Sequence, residues 1–202
     1  LTILSQSLLG LTATPGRETD VGDENEQLAE FFNYNKETLE VKGYETPIHY
    51  LQDEGYLSVP SYYTIEAPKP ERPFTQNELK NIADGKEFSD KMLEKLGDDS
   101  QRNLKITDQI IDVLNRGLQT IVFACSVAHA EALTALLKYK GYNIGLVTGK
   151  TQKDLRKQRI KQYKDGKIIA LINFGVLTTG FDAPKTKAAI ITRPTSSLSL
   201  YS

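Results

Sequence analysis

At 202 residues, with 39% hydrophobic residues and 25% charged ones, the chain has material for one large soluble domain or parts of two. No apolar run approaches the roughly 18 residues of a membrane-spanning helix, and a single cysteine excludes an internal disulfide and fits a reducing cytoplasm. The net charge of −1 hides an asymmetry: residues 18–66 carry twelve Asp/Glu against Lys36 and Lys42, whereas residues 101–193 carry sixteen Lys/Arg against six Asp/Glu. An acidic segment is followed by a basic one, and the basic half fits a polyanion partner.

The first elements are short. Residues 1–4 and 8–12 are apolar and end at the turn signal Pro15-Gly16. The leucine-rich start lacks a basic n-region, which excludes a signal peptide; with no initiator Met, the chain is expected to be a fragment or a processed product. Leu28, Phe31 and Phe32 make an apolar stripe, so a helix is expected over residues 25–32. A second is expected over 47–54, with Pro47 in its first turn and Gly55 past its end. Residues 61–65 have strand composition. Tyr44, Tyr50, Tyr56, Tyr62 and Tyr63 read as covers of a core edge rather than base-stacking platforms, and His49 as a surface or packing histidine. Residues 67–100 read as a polar connector, opened by Pro68, Pro70 and Pro73, with weak helical stretches over 75–83 and 86–96.

From Gln101 the alternation becomes regular. A helix over 103–115 places Ile106, Ile110, Ile111, Val113 and Leu114 mostly on one side, and Gly117 closes it. A strand over 120–124 follows. Ser126 caps a helix whose Ala130, Leu133, Leu136 and Leu137 face inward, with Gly141 past its end. Then come a strand over 143–147, a helix over 151–165 stopped by Gly166, a strand over 167–172, a loop, and a strand over 187–192. Strands alternating with helices of this length imply βαβ crossovers and a parallel sheet, with ligands at the carboxyl ends of the strands.

Three turns fall at those ends. The loop after residue 172 holds Gly175 and Gly180, the hydroxyls of Thr178 and Thr179, the Asp182 carboxylate and Pro184. Glycines let backbone approach a ligand, hydroxyls donate to phosphate, and a carboxylate accepts from a ribose hydroxyl or a metal-bound water. Val147-Thr148-Gly149-Lys150-Thr151 is not a P-loop, because Gly145 and Gly149 are three residues apart rather than four and Gly145 lies within the strand. It reads instead as a strand-to-helix turn that seats a nucleic-acid phosphate. Cys125 and His129, four apart at the third turn, lack an orienting third group and are not read as a nucleophile and its base.

The stretch Val176-Leu177-Thr178-Thr179-Gly180-Phe181-Asp182-Ala183-Pro184 resembles motif V of superfamily 2 helicases of the DEAD/DEAH-box kind, especially the branch of restriction-enzyme motor subunits and DNA-repair translocases. Gly10-Leu11-Thr12-Ala13-Thr14-Pro15-Gly16-Arg17 resembles motif III of that branch, and Thr120–Ser126 its motif IV. The resemblance implies a truncated RecA-like α/β fold: residues 1–17 as the tail of a first RecA-like domain, 18–59 as an acidic interdomain segment, and 60–202 as the second domain with a helical insert at about 67–100. It also implies roles. Thr12 and Thr14 would couple the two domains. Gly180 and Asp182 would face ATP and its Mg2+ in the intact protein, and Thr148, Gly149, Arg156, Thr178 and Thr179 would grip one strand.

The sequence has no Walker loop, and no Asp-Glu-x-His or Asp-Glu-x-Asp after an apolar strand; the motif VI arginine finger is expected beyond Ser202. These 202 residues alone are therefore expected to bind no ATP–Mg2+ and to hydrolyse none. The expected partners are DNA, with RNA possible, the missing first RecA-like domain and restriction-modification subunits; no membrane is expected. The alternative is a non-catalytic RecA-like module that binds nucleic acid or a protein.

Overall fold

The computed structural model describes residues 10, 23–37, 40–66, 68–177 and 181–194. The chain divides into two compact units, Leu1–Ile65 and Glu66–Ser202.

In the first unit, α1 (Asp23–Phe31) is followed by Phe32, whose ring meets that of Phe31 edge-on at 5.1 Å. α2 (Pro47–Asp53) begins where Thr46 Oγ1 accepts the His49 N–H at 3.2 Å, and Pro47 fills a position whose N–H would have no helical partner. Gly55, at φ +75°, turns the chain away past its end. Tyr44 and Tyr50 are half-buried against each other, whereas Tyr56, Tyr62 and Tyr63 are exposed and cover no core edge. The strand expected over residues 61–65 does not form: residues 58–66 lie outside helix and sheet. Strand composition measures fit to a half-buried pleated surface, and among the described residues no neighbouring strand supplies one here.

The second unit is built on a four-stranded sheet. Ahead of it the connector folds as α3 (Gln76–Ala83) and α4 (Asp90–Gly97). Thr75 and Glu78 form a reciprocal capping box for α3, and Glu78 also takes Lys95 of α4 at 2.8 Å. The Lys95 ammonium and the Thr75 N–H hold the Glu78 carboxyl down at about 2. The connector is less polar in effect than in composition, because Met92 and Leu93 are buried in the core. Ser89 caps α4 and moves its start from the expected residue 86 to Asp90. Asp99 does the same for α5 (Ser100–Asn115): its Oδ1 takes the Arg102 N–H at 2.8 Å, and its Oδ2 ties back the connector through the Glu71 N–H at 2.9 Å.

The sheet comprises β1 (Thr120–Phe123), β2 (Ile144–Thr148), β3 (Ala170–Phe174) and β4 (Ala188–Ile191), all parallel, in the order β2-β3-β1-β4. α6 (Val127–Tyr139) links β1 to β2, and α7 (Lys153–Lys164) links β2 to β3. Strand alternation sends Val122, Ile144, Ile172 and Ile190 to one face, under Ile110 and Leu114 of α5 and Leu133 and Leu137 of α6. Ile121, Val147 and Leu171 go to the other, under Tyr163 of α7. Burial on both faces explains the unbroken apolar runs of β1, β2 and β3, whereas β4 leaves Ala189 and Ile191 exposed. β3 starts at Ala170 rather than residue 167, because Gly166 at φ +80° and the Lys167 N–H, bonded to Gln162 O at 2.8 Å, hold the intervening residues in the turn that ends α7. This is the RecA-like α/β arrangement, and parallelism brings all four carboxyl ends to one edge.

Gly145 belongs to the packing of β2. A Cβ there would meet Leu171 Cδ1 at 2.9 Å and Ile168 Cδ1 at 3.2 Å, so glycine makes room for the side chains of the neighbouring strand and its lead-in.

Candidate nucleic-acid interface

The turn after β2 is tied from within. The Thr148 N–H donates to Thr151 Oγ1 at 2.9 Å, and the Thr151 N–H returns to Thr148 O at 3.0 Å. Arg156, one turn into α7, directs Nη2 to the carbonyls of Thr148 at 3.2 Å, Gly149 at 3.3 Å and Thr151 at 3.2 Å. The sequence places Arg156 on the strand grip; the structure places it on the turn's carbonyls. Thr148 is buried, while Gly149 and Lys150 are exposed at the tip. Gln152 precedes α7 without a side-chain cap bond, which leaves the first-turn N–H groups open to an anion, although Asp154 in that turn opposes one.

The rest of α7 is strongly basic. Lys153, Lys157, Lys161 and Lys164 are exposed, with Lys161 paired to Asp165 at 3.1 Å. Arg159 is turned inward, donating through Nη1 to Leu146 O on the outer strand β2. It occupies an acceptor of a sheet edge that would otherwise face water.

The loop between β3 and β4 is pinned on both sides of its carboxylate. Phe181 and Ala183 pack against the α7-side core, and Lys164 lies over the Phe181 ring at 5.6 Å. The Thr186 N–H bonds to Ala183 O at 2.9 Å, and Tyr163 OH pairs with Thr186 Oγ1 at 2.9 Å. Between these anchors Asp182 is exposed, flanked by half-buried neighbours. Thr178, Thr179 and Gly180 lie outside the described residues, as do Thr12 and Thr14.

At the end of β1, Cys125 and His129 are both buried. The Cys125 thiol donates to Thr192 O at 3.0 Å, and burial pushes its pKa up. His129 Nδ1 accepts the Cys125 N–H at 3.2 Å. Burial, assisted by the Arg102 charge, lowers the imidazole to about 4. The ring therefore braces the backbone as a neutral acceptor, and the thiol stays protonated and inert.

Sequence reasoning missed two arginines at this edge. Arg102, in the first turn of α5, donates to Leu96 O, to Cys125 Sγ and to Thr192 O. Arg193, two residues past β4, lies over the Phe174 ring with its guanidinium carbon 5.8 Å from the centroid. Arg193 was detectable as the first charge after a buried strand, a position that a parallel sheet puts at the ligand edge. Arg102 had no such signal.

Residues 103–202 match the family model described as the helicase conserved C-terminal domain. A 51.5 kDa protein of a Lactococcus phage is 26% identical over 195 residues, which are 96% of this chain and 38% of that protein. The ATP-dependent RNA helicase DBP3 of Saccharomyces cerevisiae is 31% identical over 72 residues, 36% of this chain and 14% of DBP3. Among solved structures, the Pyrococcus furiosus Hef helicase domain aligns with 50% of this chain and 22% of its own, at 21% identity and a TM-score of 0.43. The chain thus spans well under two thirds of the curated relatives it matches. Residues 103–202 correspond to a helicase conserved C-terminal domain.

Proposed function

We propose that this chain supplies the second motor domain of an ATP-dependent helicase or translocase that tracks a single nucleic-acid strand, DNA in preference to RNA. The observation that carries the reading is the braced turn after β2: an exposed Gly149-Lys150 tip and an uncapped α7 N-terminus, followed by a lysine-rich helix. That is a fixed phosphate seat with a cationic approach. Thr148, Gly149 and the hydroxyls of Thr178 and Thr179 form the grip. Arg156 holds the turn in shape through three carbonyls. Thr12 and Thr14 couple the grip to the other motor domain. The preference for DNA, and a place beside restriction-modification subunits or in repair, rest on the likeness of Thr12-Ala13-Thr14-Pro15-Gly16-Arg17 and the Thr178–Pro184 loop to that branch.

The nucleotide is met from one side only. Asp182, exposed between half-buried anchors, suits a ribose hydroxyl or a metal-bound water, and Gly180 is assigned to the same nucleotide contact. The carboxylates expected to hold Mg2+ belong to the other motor domain, since the sequence here has no Asp-Glu-x-His or Asp-Glu-x-Asp after an apolar strand. ATP bound between the two domains would close them, and transfer of its γ-phosphoryl group to water would release them. This chain alone is expected to hydrolyse no ATP; phosphate release that Asp182→Ala abolishes would overturn that assignment.

The grip is tested by fluorescence anisotropy with a labelled oligothymidylate over a range of salt. The wild-type chain is expected to bind with a salt slope that falls by about 0.7 for each single-strand phosphate contact removed. Arg156→Ala, which frees the turn, and Thr178→Ala are each expected to weaken binding. Unchanged affinity and slope in both variants would show that the strand lies elsewhere.

A further inference from the structure

The edge that carries the Thr148 turn has a second cationic feature with no assigned role. Just past β4, Thr192 is clamped. Its N–H and Oγ1 both donate to Phe123 O, at 3.0 and 2.7 Å, and its carbonyl takes Cys125 Sγ and Arg102 Nη2. Arg193 therefore springs from a fixed point. Its guanidinium reaches back across the end of β1 to lie on Phe174, the last residue of β3. Phe174 is the register partner of Thr148, so their backbones are one strand spacing apart, about 4.8 Å. Arg193 thus reaches the strand next to the turn already proposed to seat a phosphate.

The guanidinium is poorly satisfied for so constrained a group. Among the described residues Nε has no acceptor. Nη2 faces Glu87 Oε1 at 3.9 Å, which is an ion pair but too long for a hydrogen bond. The two side chains are 27% and 41% exposed, so water screens the pair and its contribution is small. Arg102 lies close behind: both guanidinium charges act on the Cys125 thiol and oppose its upward shift. A planar fork held by an aromatic face, backed by a second positive charge and short of acceptors, matches a phosphate, which takes two parallel N–H bonds.

We propose that Arg193, stacked on Phe174, is a second phosphate seat for the strand held at the Thr148 turn, and that Glu87 of the connector is the internal counter-charge which the phosphate displaces. The proposal rests on the nucleic-acid reading above and deepens it. The connector then tunes affinity, since each binding event must break the Glu87 pair. One strand would be held at two neighbouring points of the sheet edge, the turn reading its backbone through N–H groups and Arg193 through charge.

The test is anisotropy of labelled oligothymidylate with the wild-type chain, Arg193→Gln, Arg193→Lys, Glu87→Gln and Arg156→Ala, each checked for folding by its thermal melt. Arg193→Gln is expected to lose about tenfold in affinity, as for a charge-assisted bond, and to lower the salt slope by about 0.7. Arg193→Lys is expected to keep the slope while losing part of the affinity, because an ammonium retains the charge but not the fork. Glu87→Gln is expected to tighten binding. If Arg156→Ala weakens binding while Arg193→Gln and Glu87→Gln match the wild type, the second seat is wrong and the nucleic-acid reading stands. Loss on Arg193→Gln without gain on Glu87→Gln would keep the seat and overturn the role of Glu87. A wild-type chain that binds no strand at all overturns both.

Discussion

Lowering the pH from 6.5 to 4 is expected to remove about 3 kcal/mol of folding stability through one side chain, His129. The imidazole is buried, and its folded pKa is lowered from 6.5 to about 4 by burial first and the Arg102 charge second, with Asp98 pulling weakly the other way. The unfolded chain therefore takes up a proton near pH 6.5 that the folded chain refuses until about pH 4. Between those values the unfolded state binds more protons, so stability falls with falling pH, by about 1.4 kcal/mol per unit at most. Above pH 6.5 the ring is neutral in both states and has no effect; below pH 4 both are charged and the loss levels off. Glu78 acts in a different window. Its folded pKa is depressed, so its contribution is present above about 4.5 and is lost as the pH falls towards 2. Urea unfolding at pH 7, 6, 5 and 4.5 isolates the histidine. His129→Gln, whose side-chain oxygen can still accept the Cys125 N–H, is expected to flatten the profile across that range. A wild-type profile already flat between pH 6.5 and 4.5 would mean that the ring protonates freely in the folded protein.

The same residue shows what a sequence does and does not disclose. A spacing of four from Cys125 to His129 at a helix start has the reach of a nucleophile and base. The lack of an orienting third group argues against it in the sequence, and the depth of the site, a property of the packed whole, adds the physical reason. The sheet was legible because β1, β2 and β3 are buried on both faces and carry apolar runs that little else explains. The Ser126 cap was legible because capping is local, and His129 N–H bonds to its hydroxyl at 3.1 Å. Where position depends on distant partners, the reading fell short. Residues 61–65 have strand composition but, among the described residues, no neighbour to pair with. Met92 and Leu93 sit in a segment of polar appearance, yet they complete the core. Arg156 was set apart from the lysines of α7 by resemblance alone, as a strand contact. The direction of its guanidinium, into the carbonyls of the turn, follows from the geometry of the strand-to-helix junction, which no residue pattern encodes. Asp182 was singled out for its chemistry alone; the packing of Phe181 and Ala183 on either side supplies the reason it faces outward.

That packing leads to the second large effect, at Tyr163. Its side chain is fully buried near the end of α7, among Ile121, Val147, Ile168, Leu171 and Leu177, and burial raises its phenol pKa. The hydroxyl pairs with Thr186 Oγ1 at 2.9 Å, so one residue both fills this half of the core and ties down the loop that presents Asp182. Tyr163→Ala removes the ring and leaves a cavity that rigid strands cannot close, at a cost of about 3–5 kcal/mol. Tyr163→Phe keeps the ring and removes only the hydroxyl, at a cost of about 1 kcal/mol. Urea denaturation of both variants at pH 7, above the window in which His129 titrates, measures the two parts separately. The Ala variant is also expected to loosen the 181–187 loop, which faster amide exchange at Thr186 and Lys187 would reveal. Equal losses in the two variants would place most of the energy in the bond to Thr186 rather than in the ring. A loss below about 1 kcal/mol for Tyr163→Ala would contradict its complete burial.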